Sequence, residues 1–265
     1  MDSSTQFATT LVALILLQHV IGSYSTTFTM VNKCSYTVWP GILSGARTTP
    51  FSTIGFALQP GESNALVVPP SWYGRLWGRT LCSQKSTGKF SCITGDCDSS
   101  TIEYAEKNAI PPASLAEFTL NRAGGLDFFD VSLVDGYNLP ILIEPHGQTD
   151  GGNCTATGCS VDLNTACPTE LKVMSSDGDG ESVACRSARE AFGDPQYCCS
   201  GAYGSPDTCK PSSYSQFFKS ACPRAYSYAY DDGSSTFTCA SADYTITFFQ
   251  TPPKGSTNPP IPAPL

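Results

Sequence analysis

Polar and apolar residues alternate with a period of two from residue 27 to residue 39 (TFTMVNKCSYTVW), a pattern that predicts a strand stopped by Pro40-Gly41. Further strands are predicted at 65–68, 75–79, 116–120, 128–134, 141–144 and 244–250, each a short apolar run bounded by turn-forming residues. Within 116–120 the alternation sets Phe118 and Leu120 on one face and Glu117 and Thr119 on the other, so Glu117 is expected to point away from the core. Asp130 and Asp135 are an odd number of residues apart and would face opposite ways on a straight strand. For both to line one surface the chain must bend, and Asp135-Gly136 supplies a turn signal there. Tyr226, Tyr228 and Tyr230 alternate as a strand with one packed face would. Between about residues 154 and 222 the pattern changes to cysteine-dense loops, with two short helices predicted at 183–192 and 214–221, ended by Gly193 and Pro223.

The two ends of the chain have a different character. Residues 11–20 (LVALILLQHV) form an apolar run too short to span a bilayer, followed by the small residues Gly22, Ser23 and Ser25. Residues 1–25 therefore read as a removable secretion signal, with the mature chain starting near Thr26. Residues 251–265 are proline-rich, lack an apolar stretch that would direct a lipid anchor, and read as a disordered tail. No later run is long enough for stable membrane insertion, so the expected product is secreted and extracellular.

Composition sharpens this to a mainly β, loop-rich protein: 23 Gly and 20 Pro accompany only 14% charged residues. The net charge is −8, and loss of the signal, which carries Asp2 and no base, makes it −7. An acidic surface repels the phosphates of nucleic acid and of anionic lipid, which excludes them as partners, but it is compatible with a neutral polysaccharide. Thirteen cysteines in an exported chain cannot all pair. Other ligands for a zinc site are scarce, and no metal or other cofactor is expected. Asn153-Cys154-Thr155 is a glycosylation sequon.

Nine segments carry a family signature: TFTMVNKCSYTVWPG from Thr27, WGRTLC from Trp77, TGDC from Thr94, PPASLAEFTLN from Pro111, FFDVSLVDGYNLP from Phe128, GGNCTATGC from Gly151, QYCC from Gln196, YSQFFKSACPRAYSYAYDD from Tyr214 and STFTC from Ser235. Over 27–249 the chain resembles the thaumatin-like proteins, the family of osmotin and the pathogenesis-related antifungal proteins of plants. The resemblance implies a β-sandwich core (about 26–79, 112–158 and 223–250), a small domain (about 80–111) and a disulfide-rich loop and helix domain (about 159–222), stapled by eight disulfides. It implies five pairs here: Cys82–Cys92, Cys154–Cys239, Cys159–Cys222, Cys167–Cys185 and Cys199–Cys209. Cys34, Cys97 and Cys198 are left unpaired, because Phe249, Tyr104 and Arg189 stand where their partners are expected. After Cys97 the family usually has glycines and this chain has Asp98 and Ser99, so a turn there must differ or be strained.

The resemblance also implies a cleft lined by one arginine and four carboxylates, at Arg79, Glu117, Asp130, Asp135 and Asp231. Trp72, Tyr73 and Trp77 surround the strand carrying Arg79 and would add a sugar-stacking surface. Such a site suits a monomeric, secreted (apoplastic) defence protein that binds fungal-wall β-1,3-glucan. A weak endo-β-1,3-glucanase is an alternative, with Glu117 as general acid and Asp130 as the second carboxylate, since glycoside hydrolysis uses such a pair. The binding surface is preferred, because sequence does not fix the separation of the two carboxylates. An inhibitor of microbial or insect hydrolases, with a protein in the cleft, is a further alternative.

Overall fold

The computed structural model describes residues 25–103, 107–147, 152–175 and 180–250. Thirteen strands build it: β1 (Thr27–Lys33), β2 (Trp39–Ser44), β3 (Ser63–Val67), β4 (Tyr73–Gln84), β5 (Phe90–Thr94), β6 (Leu115–Thr119), β7 (Leu126–Ser132), β8 (Ile141–Gly147), β9 (Thr157–Cys159), β10 (Lys172–Met174), β11 (Ser182–Cys185), β12 (Phe237–Ala240) and β13 (Ala242–Phe249). One sheet runs β3-β1-β13-β8-β9, with β1 and β13 parallel; the other runs β12-β7-β6-β4-β2, with β5 attached to β4. Alternation decides which faces meet. Phe28 and Met30 of β1 and Tyr244 and Ile246 of β13 bury against Phe118 of β6 and Phe129 and Val131 of β7. Aromatic contacts cross between the sheets, Phe28 to Phe118 at 4.4 Å and Phe129 to Tyr244 at 5.1 Å between ring centroids. The protein is a β-sandwich with a large apolar core between its sheets and a second, smaller cluster of Trp77, Cys97, Ala113 and Leu115.

Three local expectations are corrected. Pro40 and Gly41 do not end a strand but sit inside β2. This is tolerated because β2 is the edge strand of its sheet, where a missing N–H costs least, and because a Cβ on residue 41 would lie 2.6 Å from the Trp77 ring. Val183–Cys185 is strand, not the start of a helix, since it pairs with β10 and Cys185 is anchored to Cys167. The helix α1 (Ala188–Phe192) begins only after Ser187, whose hydroxyl caps the Glu190 N–H, and ends at Gly193 in the left-handed region. Residues 226–230 are not a strand. Only Tyr226 makes a bridge, to Ser132, and the chain then turns because the Asp231 carboxylate accepts hydrogen bonds from the Ser227 N–H and hydroxyl.

The remaining helices are α2 (Pro195–Cys198), α3 (Ser213–Ala221), which starts with a Ser212/Ser215 capping box, and α4 (Asp232–Ser235). Five disulfides join Cys82–Cys92, Cys154–Cys239, Cys159–Cys222, Cys167–Cys185 and Cys199–Cys209. Cys34 and Cys97 are buried free thiols and Cys198 is a half-buried one. Phe249 is in register with Lys33, whose ammonium lies 5.6 Å from its ring, and is itself buried. The signal, the proline-rich tail and Tyr104 lie outside the described residues. At the turn after Cys97, Asp98 adopts φ 49° and Ser100 φ 64°. Side chains thus occupy a backbone region that favours glycine, Asp being among the types that tolerate it best, and Lys89 and Lys107 flank the Asp98 carboxylate at 3.8 and 3.6 Å. Asn153 of the sequon is exposed and next to the bridged Cys154.

Candidate functional site: an acidic groove on the outer face of the six-stranded sheet

β4 lies between β6 and the edge strand β2, with Leu76 in the core and Arg75, Trp77 and Arg79 on the opposite face. What distinguishes those three is the chain laid over them. The Trp77 indole N–H donates to the Gly95 carbonyl at 2.8 Å. The Arg79 guanidinium is fully buried under residues 97–102. Its Nε donates to the Trp39 carbonyl at 3.0 Å, its Nη2 to Ile102 at 2.8 Å and Pro40 at 3.3 Å, and it stacks 5.3 Å from the Phe90 ring. Arg79 is therefore a clamp between β2, β4 and the small-domain loop, away from the carboxylates it was expected to join.

The arginine among the carboxylates is Arg75. It is the cross-strand partner of Glu117, with Nη2 3.2 Å from Oε1, and Glu117 is in turn the partner of Asp130 on β7. The three side chains form a row across β4, β6 and β7. Asp135 joins them because β7 ends at Ser132 and the chain turns, with Gly136 at φ 86°; a Cβ there would strike Pro112 and the Cys185 carbonyl. The last carboxylate is Asp232 rather than Asp231. Asp232 opens α4 and accepts from the Tyr226 hydroxyl at 2.8 Å, on the groove wall. Asp231 points elsewhere, 2.9 Å from Lys219 Nζ and bonded to Ser227.

The groove consists of two adjoining cavities that share Arg75, Glu117 and Asp130 as a common wall. One, of about 360 Å³, continues to Asp135, Tyr226, Asp232 and Arg189 of α1. The other, of about 330 Å³, continues to Tyr73, Thr119 and Phe128. Of the three aromatic residues expected to offer a stacking surface, Trp72 and Trp77 are fully buried, and Tyr73 alone is exposed. Sequence reasoning does not place Arg75, Phe128 or Arg189 in the groove, prefers Asp231 to Asp232, and gives Tyr226 to a packed strand face. Arg75 and Arg79 have the same parity on one strand, so alternation does not choose between them, and nothing local separates Asp231 from Asp232.

Burial pushes the Asp130 carboxyl well above the ordinary range, helped by Glu117 and Asp232 and opposed by Arg75. Its Oδ1 is buried with no hydrogen-bond partner among the described residues. Burial also raises Glu117, against Arg75 and with Asp135. The groove therefore sets a guanidinium and a phenol beside several carboxyl groups, of which Asp130 holds its proton to a higher pH than an exposed aspartate does. Among the described residues no three His, Cys, Asp or Glu side chains are grouped to hold a metal ion, and no helix is long and apolar enough to cross a membrane.

The Thaumatin family model matches residues 32–250. The chain is 58% identical over 224 residues to pathogenesis-related thaumatin-like protein 3.5 of Cryptomeria japonica, covering 84% of this chain and 90% of that one. It is 54% identical over 242 residues to thaumatin-like protein 1 of Arabidopsis thaliana, covering 89% and 90%. A glucan endo-1,3-beta-glucosidase of Prunus avium is 48% identical over 228 residues, covering 86% and 91%. A sandwich stapled by five disulfides, an acidic groove on one sheet and a match over nearly all the described residues place this chain in the thaumatin family, close to the pathogenesis-related thaumatin-like proteins of plants.

Proposed function

We propose that this chain is a secreted defence protein that binds β-1,3-glucan of fungal walls in the groove built on Arg75, Glu117 and Asp130. The observation that carries the reading is the buried Asp130 Oδ1, left without a partner at the junction of two open cavities. An unsatisfied buried polar atom is costly unless a ligand completes it, and a polyhydroxyl chain supplies donors and acceptors along its length. Tyr73 and Phe128 at one end give an apolar surface for a sugar ring. A neutral polymer also escapes the repulsion that a net charge of −8 imposes on anionic ligands. The disulfides require an oxidising compartment, and the relatives' names include both pathogenesis-related proteins and a β-1,3-glucosidase. The test is co-sedimentation with insoluble β-1,3-glucan. Wild type is expected in the pellet and Arg75→Ala largely in the supernatant while still folded, because the Arg75–Glu117 ion pair is partly exposed. Equal retention of the two proteins would remove the groove from the function.

A second reading, weak hydrolysis, is favoured by one feature: Glu117 and Asp130 are direct cross-strand neighbours, and burial raises Asp130 well above the ordinary carboxylate range, so one carboxyl of the pair holds its proton as a general acid must. Glu117→Gln and Asp130→Asn would each abolish reducing-sugar release from soluble glucan while sedimentation persists. Release that survives both substitutions assigns the activity elsewhere.

A further inference from the structure

Arg189 stands where the family resemblance places a half-cystine, and Cys198, which would have bonded to it, is a free thiol. The position has changed character rather than fallen silent. From the first turn of α1 its side chain crosses to the sandwich, where Nη1 lies 3.6 Å from Asp135 Oδ1, while Nε lies 3.8 Å from Glu190 Oε1. Both contacts are ion pairs longer than hydrogen bonds, and the side chain is 47% exposed. A guanidinium has five N–H donors in a planar fork, so beyond these two contacts most of this one's donors have no partner among the described residues. Arg189 lines the cavity that runs to Asp135 and Asp232, and not the one that runs to Tyr73 and Phe128. It therefore marks one end of the groove.

We infer that Arg189 is a specificity-determining residue, forming with Asp135 a terminal subsite that takes the hydroxyls of one additional sugar unit. This rests on the glucan reading above. The guanidinium donates to neighbouring hydroxyl oxygens and the Asp135 carboxylate accepts from a hydroxyl, so the pair presents both halves of what a sugar requires. Arg75, Glu117 and Asp130 hold the central units. The terminal subsite adds affinity only to a ligand long enough to reach it.

Isothermal titration with linear β-1,3-gluco-oligosaccharides, from the dimer to the hexamer, tests this on wild type, Arg189→Ala and Arg189→Cys. The cysteine variant removes the guanidinium while offering Cys198 a bonding partner, so it keeps the lobe tethered should the alanine variant fold poorly; a fall in titratable thiols reports the closed bridge. Wild type is expected to gain affinity as the ligand lengthens. Both variants are expected to bind the dimer as wild type does and to lose about tenfold at the longest lengths, the worth of a charge-assisted hydrogen bond. Unchanged affinity at every length overturns the inference. So does an equal loss at every length, which would make Arg189 a strut for the lobe, and so does tighter binding without it, which would make it a plug. If wild type binds no oligosaccharide of any length, the glucan reading itself fails and this inference with it, a result distinct from the other three.

Discussion

Asp130 ties the chemistry of the groove to pH. Its carboxyl is raised first by burial, then by Glu117 and Asp232, so it keeps its proton at a pH where an exposed aspartate has lost it. A protonated Asp130 donates to a sugar hydroxyl; an ionised one only accepts. Binding should therefore be strongest below the raised pKa and decline as pH rises through it. Stability follows with the same sign. The native state holds this proton more tightly than the unfolded chain, so this carboxyl costs stability progressively as pH rises from the ordinary carboxylate range to the raised value. Asp130→Asn keeps a donor and removes the titration. Glucan affinity of that variant, measured from acid to neutral pH, should be flat where wild type falls, and its melting temperature should exceed wild type's most at neutral pH. A wild-type profile without slope would show that Asp130 does not meet the ligand as an acid. At this scale the sequence was informative about residue types and less so about their surroundings. Glu117 could be oriented from strand parity and Asp135 from the Gly136 turn. Arg79 was mistaken for Arg75 because burial of Arg79 depends on where residues 97–102 fold back, a long-range fact absent from its own strand.

The lobe that carries α1 and α2 shows how elements adapt when a crosslink is missing. Without a bond from position 189 to Cys198, the two helices meet through rings: Phe192 to Tyr197 at 5.6 Å, and both to Tyr214 of α3, at 5.2 and 5.9 Å. Such pairs contribute about 0.5–1.5 kcal/mol each. Phe192 is 40% exposed and takes part in two of the three contacts, so Phe192→Ala should cost about 1–2 kcal/mol, below the 3–5 typical of a fully buried phenylalanine. The loss should be local. Amide exchange is expected to quicken across residues 188–200, while the sandwich strands keep their protection and Arg75–Glu117 keeps its geometry. Quickening throughout β1 and β13 instead would mean that the lobe and sandwich unfold as one unit. The element pattern was readable in proportion to its periodicity. β6, β7, β13 and α3 alternate or turn cleanly, and their predicted spans lie within a few residues of the observed ones. The 183–192 segment misled because a short apolar run reads alike as strand or helix, and what decides it is pairing with β10 and the bond to Cys167, neither of which is local.

At the scale of the whole molecule, the question is how the strands nearest the two ends, β1 and β13, are held together. β1 and β13 lie parallel and adjacent, so a bond between Cys34 and position 249 would close a loop of more than two hundred residues, worth ~5 kcal/mol in the chain-entropy account. Phe249 occupies that position instead, 3% exposed, and Cys34 is a buried thiol, pushed up to about 11 by desolvation, that stays protonated and inert at neutral pH. Removing a buried phenylalanine costs about 3–5 kcal/mol, which is close to what the bond would supply. The buried ring is thus expected to offset much of what the missing closure would supply. Phe249→Ser, which offers neither ring nor thiol, should lose about 3–5 kcal/mol by denaturant titration. Phe249→Cys, once oxidised to Cys34, should recover most of that and melt within a few degrees of wild type, with its thiol titre reduced by one relative to the wild-type three. If Phe249→Ser is as stable as wild type, the ring is not what holds the two terminal strands together, and the hydrogen-bonded register of β1 with β13, reinforced by the Gln250 side chain accepting from the Ser35 N–H at 2.9 Å, must suffice alone.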